Sequence, residues 1–342
     1  PVGAPVCGAL VSLIFGGMAL VGGREMLNRY LPPIVTGPVI MVIGLKLAPV
    51  AVGMTRSFAS GGPADGKAML LASCSLLTAV AAVMFGKKFL SLIPILCGIV
   101  VGYLVSLAMG VVDFTSVREA AWFQIPWTLA MEKGSFARPV FDVAAILYML
   151  PVALAPAIEH VGDILAISSV TGKDYLKSPG LHRTLLGDGL ATSLAGILGG
   201  PPNTTYSEVT GAVALTKAYD PVLMRIAAVA AILLAFVGKL GALLLTIPKP
   251  VMGGIMLLLF GMIAAIGVNS LVKARVDMSR SRNLVVASII LTVGIGDMTV
   301  SCGRFCLGGI GLAGLVGVLL NVILPGTNEN HADPSGGAGT AP

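Results

Sequence analysis

The amino-acid sequence predicts an all-α membrane protein that crosses the bilayer many times. Of its 342 residues, 56% are hydrophobic and only 11% are charged, which is less than half the ~25% of charged residues in a typical soluble domain. The mean hydropathy of +0.94, together with 44 Gly and 21 Pro, is typical of helices packed in lipid. This composition excludes a water-soluble protein. The scattered basic residues behind the net charge of +6 form no stripe that would bind nucleic acid.

Ten apolar runs are long enough to cross a bilayer, which takes about 20 residues of helix. In chain order they occupy residues 2–21, 33–54, 67–85, 88–112, 138–168, 180–198, 221–246, 250–267, 281–297 and 305–325. A further apolar stretch lies between residues 199 and 220. Its helix-capable part, from Ser207 to Thr216, reaches only about 15 Å. We interpret it as a half-helix whose extended start completes an eleventh crossing.

Two segments outside these runs have a different character. The connection 113–137 contains Trp122, Phe123 and Trp127 among charged residues, a composition that favours a position at the outer membrane interface. Residues 326–342 are rich in Gly, Asn and Pro without apolar periodicity, so we expect a disordered tail.

Eleven alternating crossings divide the basic residues unequally between the two sides of the membrane. The first face collects thirteen Lys and Arg, among them Lys87 and Arg282, whereas the second face collects eight, among them Arg118 and Lys239. Because basic residues are enriched on the cytoplasmic side, we predict that the first face and the C-terminus are cytoplasmic. Lys46 is the one basic residue within a span, and we expect it to snorkel to an interface.

An internal repeat is visible when the second and ninth spans are aligned with an offset of 217 residues. Three Pro and Gly positions then coincide: Pro33 with Pro250, Gly37 with Gly254, and Gly44 with Gly261. A repeat of seven spans places its two copies in opposite orientations, which is the architecture of many secondary transporters. We therefore expect a seven-plus-seven inverted repeat with eleven of fourteen spans present, so that the chain is truncated at its N-terminus.

Acidic residues inside spans are the candidates for chemistry, because the bilayer excludes charges that have no role. They are Asp142, Glu159, Asp163, Asp188, Glu208 and Asp297. Glu159 and Asp163 are four residues apart and share one face of a helix. Since two carboxyls this close in a low dielectric do not both ionise, the pair is expected to hold a proton near neutral pH. We expect Asp142 and Asp188 to be structural, and Asp297 to end its span without a special role.

Glu208 is open to two interpretations. Thr205 and Glu208 match the capping box of a helix start, which would make Glu208 a structural residue. However, this helix start lies at membrane depth behind the extended stretch 202–206, whose backbone groups must line a polar cavity. A discontinuous helix that points its N-terminus at a midplane site is how transporters bind solutes, and this second interpretation predicts a substrate site.

Three motifs carry a resemblance to a known family. They are Glu159-His160-Val161-Gly162-Asp163, Pro179-Gly180-Leu181-His182-Arg183, and Pro202-Asn203-Thr204-Thr205-Tyr206-Ser207-Glu208 with Gly211 and Thr216-Lys217. With them the sequence, from Pro1 to about Pro325, resembles the nucleobase:cation symporter family, also called the nucleobase-ascorbate transporters. The resemblance implies a core domain and a gate domain that together move uracil or a related base with a proton.

The resemblance also implies roles for individual residues. Glu159 and Glu208 match the substrate-binding glutamates of the family, and the backbone of Tyr206 and Ser207 matches its half-helix contacts. Glu159 and Asp163 are expected to couple the proton. The remaining motif residues are expected to support the site: His160, Asn203, Thr205 and Gly211. Two positions depart from uracil-transporting members, which usually have His where Asp163 stands and Asn where Val209 stands.

The same resemblance divides the chain into domains. We expect residues 1–22 and 138–246 to belong to the core domain, residues 23–137 and 247–325 to the gate domain, and residues 326–342 to the tail. The expected location is the inner membrane of a bacterium, with multiple crossings. The expected partners are a nucleobase and lipid, with a homodimer as an open possibility and no nucleic acid.

Rival functions remain open at this point. The nearest alternative is a purine permease for xanthine or urate. The next is an anion exchanger of related architecture, but an acid-rich site is poorly suited to binding an anion. An intramembrane enzyme would need more than the pair Glu159 and Asp163, and no nucleophile accompanies them, so an enzyme is not expected. Neither a metal site nor a cofactor is expected, because the five cysteines show no metal-binding spacing. The coupling ion is expected to be a proton, with Na⁺ not excluded.

Overall fold

A computed structural model shows a helical protein. It describes residues 32–59, 62–87, 90–125, 154–198, 200–201, 203–205, 208–302 and 305–325. The described helices are α1 (Pro33–Arg56), α2 (Gly66–Phe85), α3 (Pro94–Ala108), α4 (Thr115–Glu119), α5 (Leu154–Thr171), α6 (Leu181–Ile197), α7 (Glu208–Thr216), α8 (Pro221–Ala235), α9 (Gly238–Leu245), α10 (Lys249–Lys273), α11 (Ser281–Ile295) and α12 (Gly309–Ile323). Two strands, β1 (Thr299–Cys302) and β2 (Phe305–Gly308), lie between α11 and α12.

Most predicted spans are confirmed as helices, with ends that follow local signals. Prolines stand in the first turns of α1, α3, α8 and α10. The backbone N–H groups of a first turn have no partner within the helix, so a proline there costs no hydrogen bond. Helices α1, α2 and α10 are long and apolar enough to cross a membrane, and α3, α8, α11 and α12 are shorter apolar helices. The predicted first span, residues 138–153 and the tail lie outside the described residues.

Helices α1 and α10 cross in antiparallel directions at glycine contacts. A Cβ added at Gly37 would lie 2.8 Å from Leu271 Cγ, one added at Gly44 would lie 2.6 Å from the backbone N of Ala264, and one added at Gly253 would meet Met54. The first residues of α1 therefore face the last residues of α10, and the last residues of α1 face the first residues of α10. Because small residues let helix backbones approach closely in membranes, these glycines determine where the two helices cross.

Each of these two helices carries a pair of neighbours. Helices α2 and α3 pack on α10, and α11 and α12 pack on α1. Gly102 of α3 fits against Ser75 and Val251, and Ser75 donates to the Val251 carbonyl at 3.0 Å. On the other side, Gly317 of α12 fits against Ile290 and Val35. The two halves of this six-helix assembly are therefore built in the same way.

The predicted span 221–246 is wrong as a single helix, because it breaks between α8 and α9. The backbone N of Gln124 donates to the Phe236 carbonyl at 2.9 Å, and the N of Gly238 donates to the Trp122 carbonyl at 3.1 Å. The rings of Phe123 and Phe236 stack at 5.7 Å. The Phe236 carbonyl and the Gly238 N–H therefore bond to the connection and not within a continuous helix. The described part of the connection 113–137 thus packs on α8 and α9.

The all-α prediction misses one β-hairpin. Strands β1 and β2 pair in antiparallel register, with Thr299 opposite Gly308 and Cys302 opposite Phe305. Helix α11 ends before Asp297 and α12 begins only at Gly309, so the last two predicted spans are both shorter than expected. Both Asp297 (φ 52°) and Gly309 (φ 57°) adopt left-handed backbone conformations, which end the helix and start the next one.

Candidate functional site

Helix α5 carries three of the predicted site residues. Glu159, His160 and Asp163 all lie within this helix, so the helical spacing predicted for the two carboxyls is confirmed. Glu159 is twelve residues before the end of α5 at Thr171, or about 18 Å from it along the helix axis. The acidic pair therefore lies in the interior of α5 and not at its C-terminal end.

Helix α6 adds a third carboxyl to this group. The side chain of Asp188 is only 9% exposed, and its Oδ2 lies 3.9 Å from Nδ1 of His160. The carboxylate of Asp163 also acts electrostatically on that of Asp188. The structural role expected for Asp188 stays a prediction, but the structure places this carboxyl beside His160. Asp188 stands in the middle of a continuous helix, and its approach to His160 depends on tertiary packing, which the local sequence does not show.

His160 is the most buried member of the group. It is 2% exposed, and neither ring nitrogen has a hydrogen-bond partner within the described residues. A neutral imidazole offers one donor and one acceptor nitrogen. An unpaired ring at this depth, close to Asp188, is therefore available to exchange a proton or to hold a water molecule.

The predicted half-helix is confirmed as α7, with nine residues from Glu208 to Thr216. The extended residues before it are held by α6: the hydroxyl of Thr192 donates to the Asn203 carbonyl at 3.0 Å, and the amide of Asn203 donates to the Ala191 carbonyl at 3.4 Å. The hydroxyl of Thr205 is buried without a partner in the described part of the chain. Tyr206, Ser207 and the side chain of Glu208 lie outside what the structure describes, and of Gly211 it describes only the backbone conformation.

The packing brings these elements together. Helix α5 contacts α6 and α7, and it also contacts α1 and α12 of the six-helix assembly. The carboxyls of α5 and α6 and the start of the half-helix thus belong to one region of the fold. Carboxylates accept hydrogen bonds from N–H groups, and protonated carboxyls donate to carbonyl oxygens. Among the described residues, no three His, Cys, Asp or Glu side chains are placed to hold a metal ion.

A second charged pair lies apart from this group. The ammonium of Lys46 on α1 contacts the carboxylate of Asp297, which follows α11. The expectations that Lys46 snorkels to an interface and that Asp297 has no special role did not include this pairing, and they stay predictions. Their separation of 251 residues in the sequence explains why no local pattern indicated the pairing.

Comparison with known proteins places the chain in a family. A family model described as a permease family matches residues 2–302. The chain is 48% identical to a probable uracil permease of Haemophilus influenzae over 92% of the chain and 77% of that protein. It is 46% identical to the uracil permease of Bacillus caldolyticus (95% and 76% covered) and 40% identical to that of Escherichia coli K12 (93% and 72% covered). The chain therefore belongs to this permease family, that of the nucleobase-ascorbate transporters.

Proposed function

We propose that this protein is a secondary active transporter that takes up uracil together with a proton across the bacterial inner membrane. The observation that carries the proposal is the group of Glu159, Asp163, Asp188 and His160 at membrane depth beside a broken helix. Intramembrane carboxyls are costly unless they bind substrate or carry protons. The names of the relatives, which are uracil permeases, support uracil as the base.

The proposed division of roles follows the chemistry of the base. A uracil ring presents N–H donors and carbonyl acceptors along its edge. Glu208 accepts from a ring N–H, and a protonated Glu159 donates to a ring carbonyl, so the occupied site favours a bound proton. The backbone of Tyr206 and Ser207 contacts the base at the N-terminus of the half-helix.

Other residues support the site or carry its proton. Asp163 and Asp188 exchange the proton with Glu159 through the buried ring of His160. Asn203, Thr205 and Gly211 hold the extended segment and the half-helix in place. The unpaired hydroxyl of Thr205 supports this assignment, because a buried hydroxyl at the start of α7 is placed to bond a solute or water.

We also propose that the inverted repeat organises the transporter into its core and gate domains. The gate domain consists of residues 23–137 and 247–325, and the core domain of residues 1–22 and 138–246. An offset of 217 residues maps α1, α2 and α3 onto α10, α11 and α12 to within two residues at every helix start. The matching contacts of Gly102 and Gly317, described above, support the same two-fold relation.

Uptake into proteoliposomes tests the function. The full-length protein, reconstituted with an inward proton gradient, is expected to accumulate labelled uracil and to stop when a protonophore collapses the gradient. Unlabelled xanthine and urate in tenfold excess are expected to compete weakly. Strong competition by purines would reassign the substrate, and uptake that follows a Na⁺ gradient at constant pH would reassign the coupling ion. Absence of uptake of any base would contradict the proposal.

A further inference from the structure

The three hydroxyl groups of helix α6 differ in where they donate. The hydroxyls of Thr184 and Ser193 each donate to a carbonyl of the preceding turn of α6, at 3.0 and 2.9 Å, which is the usual bond of a Ser or Thr within a helix. The hydroxyl of Thr192 instead leaves the helix and donates to the Asn203 carbonyl at 3.0 Å. This bond therefore joins α6 to the segment that precedes the half-helix.

Thr192 lies on the buried face of α6. The residues of this face are four, three and four positions apart along the helix: Leu181, Leu185, Asp188 and Thr192. Thr192 is only 3% exposed, and it stands one turn after Asp188, about 6 Å along the helix axis. The bond to Asn203 is therefore shielded from solvent, and its donor lies one turn from the carboxyl that faces His160.

The segment after α6 folds back along the same helix. The backbone N of Gly200 donates to the Ala195 carbonyl at 2.7 Å, whereas the side-chain amide of Asn203 donates to the Ala191 carbonyl at 3.4 Å. As the chain advances from residue 200 to residue 203, its partner on α6 thus moves back from residue 195 to residues 191 and 192. Asn203 is therefore returned to the level of Thr192, and the chain runs antiparallel to the last turns of α6.

This return restricts where the half-helix can start. Glu208, the first residue of α7, is only five residues after Asn203, and five residues reach at most about 17 Å. Helix α7 also contacts α5, the helix that carries Glu159. The bond of Thr192 thus limits how far the start of the half-helix can lie from Asp188.

We propose that Thr192 is a positioning residue of the solute site. Its hydroxyl holds the Asn203 carbonyl, and with it the segment that leads to the half-helix, on the helix that carries Asp188. The solute-binding end of α7 and a carboxyl that exchanges the proton therefore keep a fixed separation. The proposal rests on the proposed transport function, because the solute and the proton are those named there.

Replacing the hydroxyl by a methyl group tests this role. Thr192→Val keeps the size and shape of the side chain but cannot donate to the Asn203 carbonyl. In the full-length protein, the dissociation constant for uracil, measured by isothermal titration calorimetry, is expected to rise at least fivefold, because a misplaced half-helix weakens the contacts of the base. The KM for uptake into proteoliposomes is expected to rise by a similar factor. The maximal rate should stay within twofold of wild type, since the carboxyls that carry the proton remain.

Two variants serve as matched controls. Thr192→Ser retains the hydroxyl and is expected to keep the dissociation constant for uracil within twofold of wild type. Ser193→Ala removes the neighbouring hydroxyl, whose bond stays within α6, and is expected to do the same. The first control separates loss of the hydroxyl from loss of side-chain volume, and the second separates the bond to Asn203 from bonds within the helix.

The outcomes separate the positioning role from a structural one. An unchanged dissociation constant in Thr192→Val, even with a lower melting temperature or a lower maximal rate, would overturn the proposal, and so would a fivefold loss of affinity in either control. If Thr192→Val does not fold, as judged by gel filtration in detergent, Thr192→Ala is measured against the same criteria. If neither variant folds, the hydroxyl serves folding and the proposal is overturned. Failure of the wild-type protein to bind or take up any base contradicts the proposed function instead.

Discussion

His160 lies close to a carboxyl with which it can exchange a proton. The ring is buried, Asp188 lies 3.9 Å from Nδ1, and Glu159 is the adjacent residue on the same helix. An imidazole can accept a proton at one nitrogen and release one from the other. The carboxyls of Asp163 and Asp188 act on each other electrostatically, so a change at one of them also affects the other. Substitutions at the acids should therefore affect the coupling of proton to solute more than the binding of the solute.

Removing a carboxyl near His160 tests this coupling. Asp163→Asn and Asp188→Asn are each expected to lower uracil uptake driven by a pH gradient at least tenfold, while exchange of labelled uracil at equilibrium continues, because exchange moves no net proton. Both rates are measured in proteoliposomes. Asp220→Asn is the control, since Asp220 caps α8 by accepting from Val222 N and Asn caps a helix equally well. Wild-type uptake in both variants would make the two acids structural.

Glu208 separates substrate binding from helix capping. Glu208→Gln keeps a side chain that can cap the helix but loses the charge that attracts a ring N–H. We expect uracil binding to the full-length protein to weaken by more than ~1.4 kcal/mol, which is about tenfold, with little change in the melting temperature. Isothermal titration calorimetry measures the affinity. An unchanged affinity would indicate that Glu208 serves only as the capping residue of the helix.

Glycines in α1 and α10 show how an element depends on its neighbour. Gly44 and Gly261 occupy equivalent positions under the 217-residue offset, but only Gly44 faces a close backbone, that of Phe260 and Ala264. A Cβ at Gly261 would meet nothing within 4 Å. The sequence aligns the two glycines but does not show which of them lies at the crossing, since that depends on the rotation of each helix.

This difference predicts opposite effects of one substitution. Gly44→Ala should lower the melting temperature by several degrees, because the added methyl forces α1 and α10 apart. Gly261→Ala should raise it slightly, since Ala is favoured over Gly inside a helix by roughly 0.5–1 kcal/mol. Thermal unfolding in detergent, followed by the fluorescence of a thiol-reactive dye, measures both. Equal shifts in the two variants would show that the crossing is not set by Gly44.

Local patterns in the sequence predict most of the helices but not the exceptions. Helices α1, α3 and α8 begin at Pro33, Pro94 and Pro221, and a proline acts on its own neighbours, although the span predicted for α3 began at residue 88. The break after Ala235 depends on Gln124 and Trp122, more than a hundred residues away. The contact of Lys46 with Asp297 and the approach of Asp188 to His160 likewise depend on tertiary packing, which short-range spacing does not encode.

At the scale of the whole molecule, the described contacts agree with the sides assigned from charge. Arg118 and Lys239 were both assigned to the second face, and the ammonium of Lys239 donates to the Val117 carbonyl at 2.8 Å. Arg282 was assigned to the first face, and it donates to the Asn321 carbonyl at 2.9 Å, at the end of α12. Residues placed on one face by counting crossings are thus neighbours in space.

The orientation itself leads to a prediction for the C-terminus. A green fluorescent protein fused after residue 342 should fluoresce, because the first face is assigned to the cytoplasm, whereas alkaline phosphatase fused at the same point should be inactive. Fusions between residues 302 and 305 should behave in the opposite way. Both activities are measured in whole cells and normalised to protein level. An active phosphatase at the C-terminus would reverse the assignment of the faces.

The attachment of residues 122–124 to the break between α8 and α9 also limits movement. Helix α3 ends at Ala108 and α4 begins at Thr115, so six residues join the two. Fully extended, they span no more than about 25 Å, which is less than the thickness of the hydrocarbon layer. Helix α4 is itself attached to α9, because the Lys239 ammonium donates to the Val117 carbonyl, so these six residues act as a short tether. The α8–α9 pair can therefore travel past α3 by only a part of the membrane's thickness.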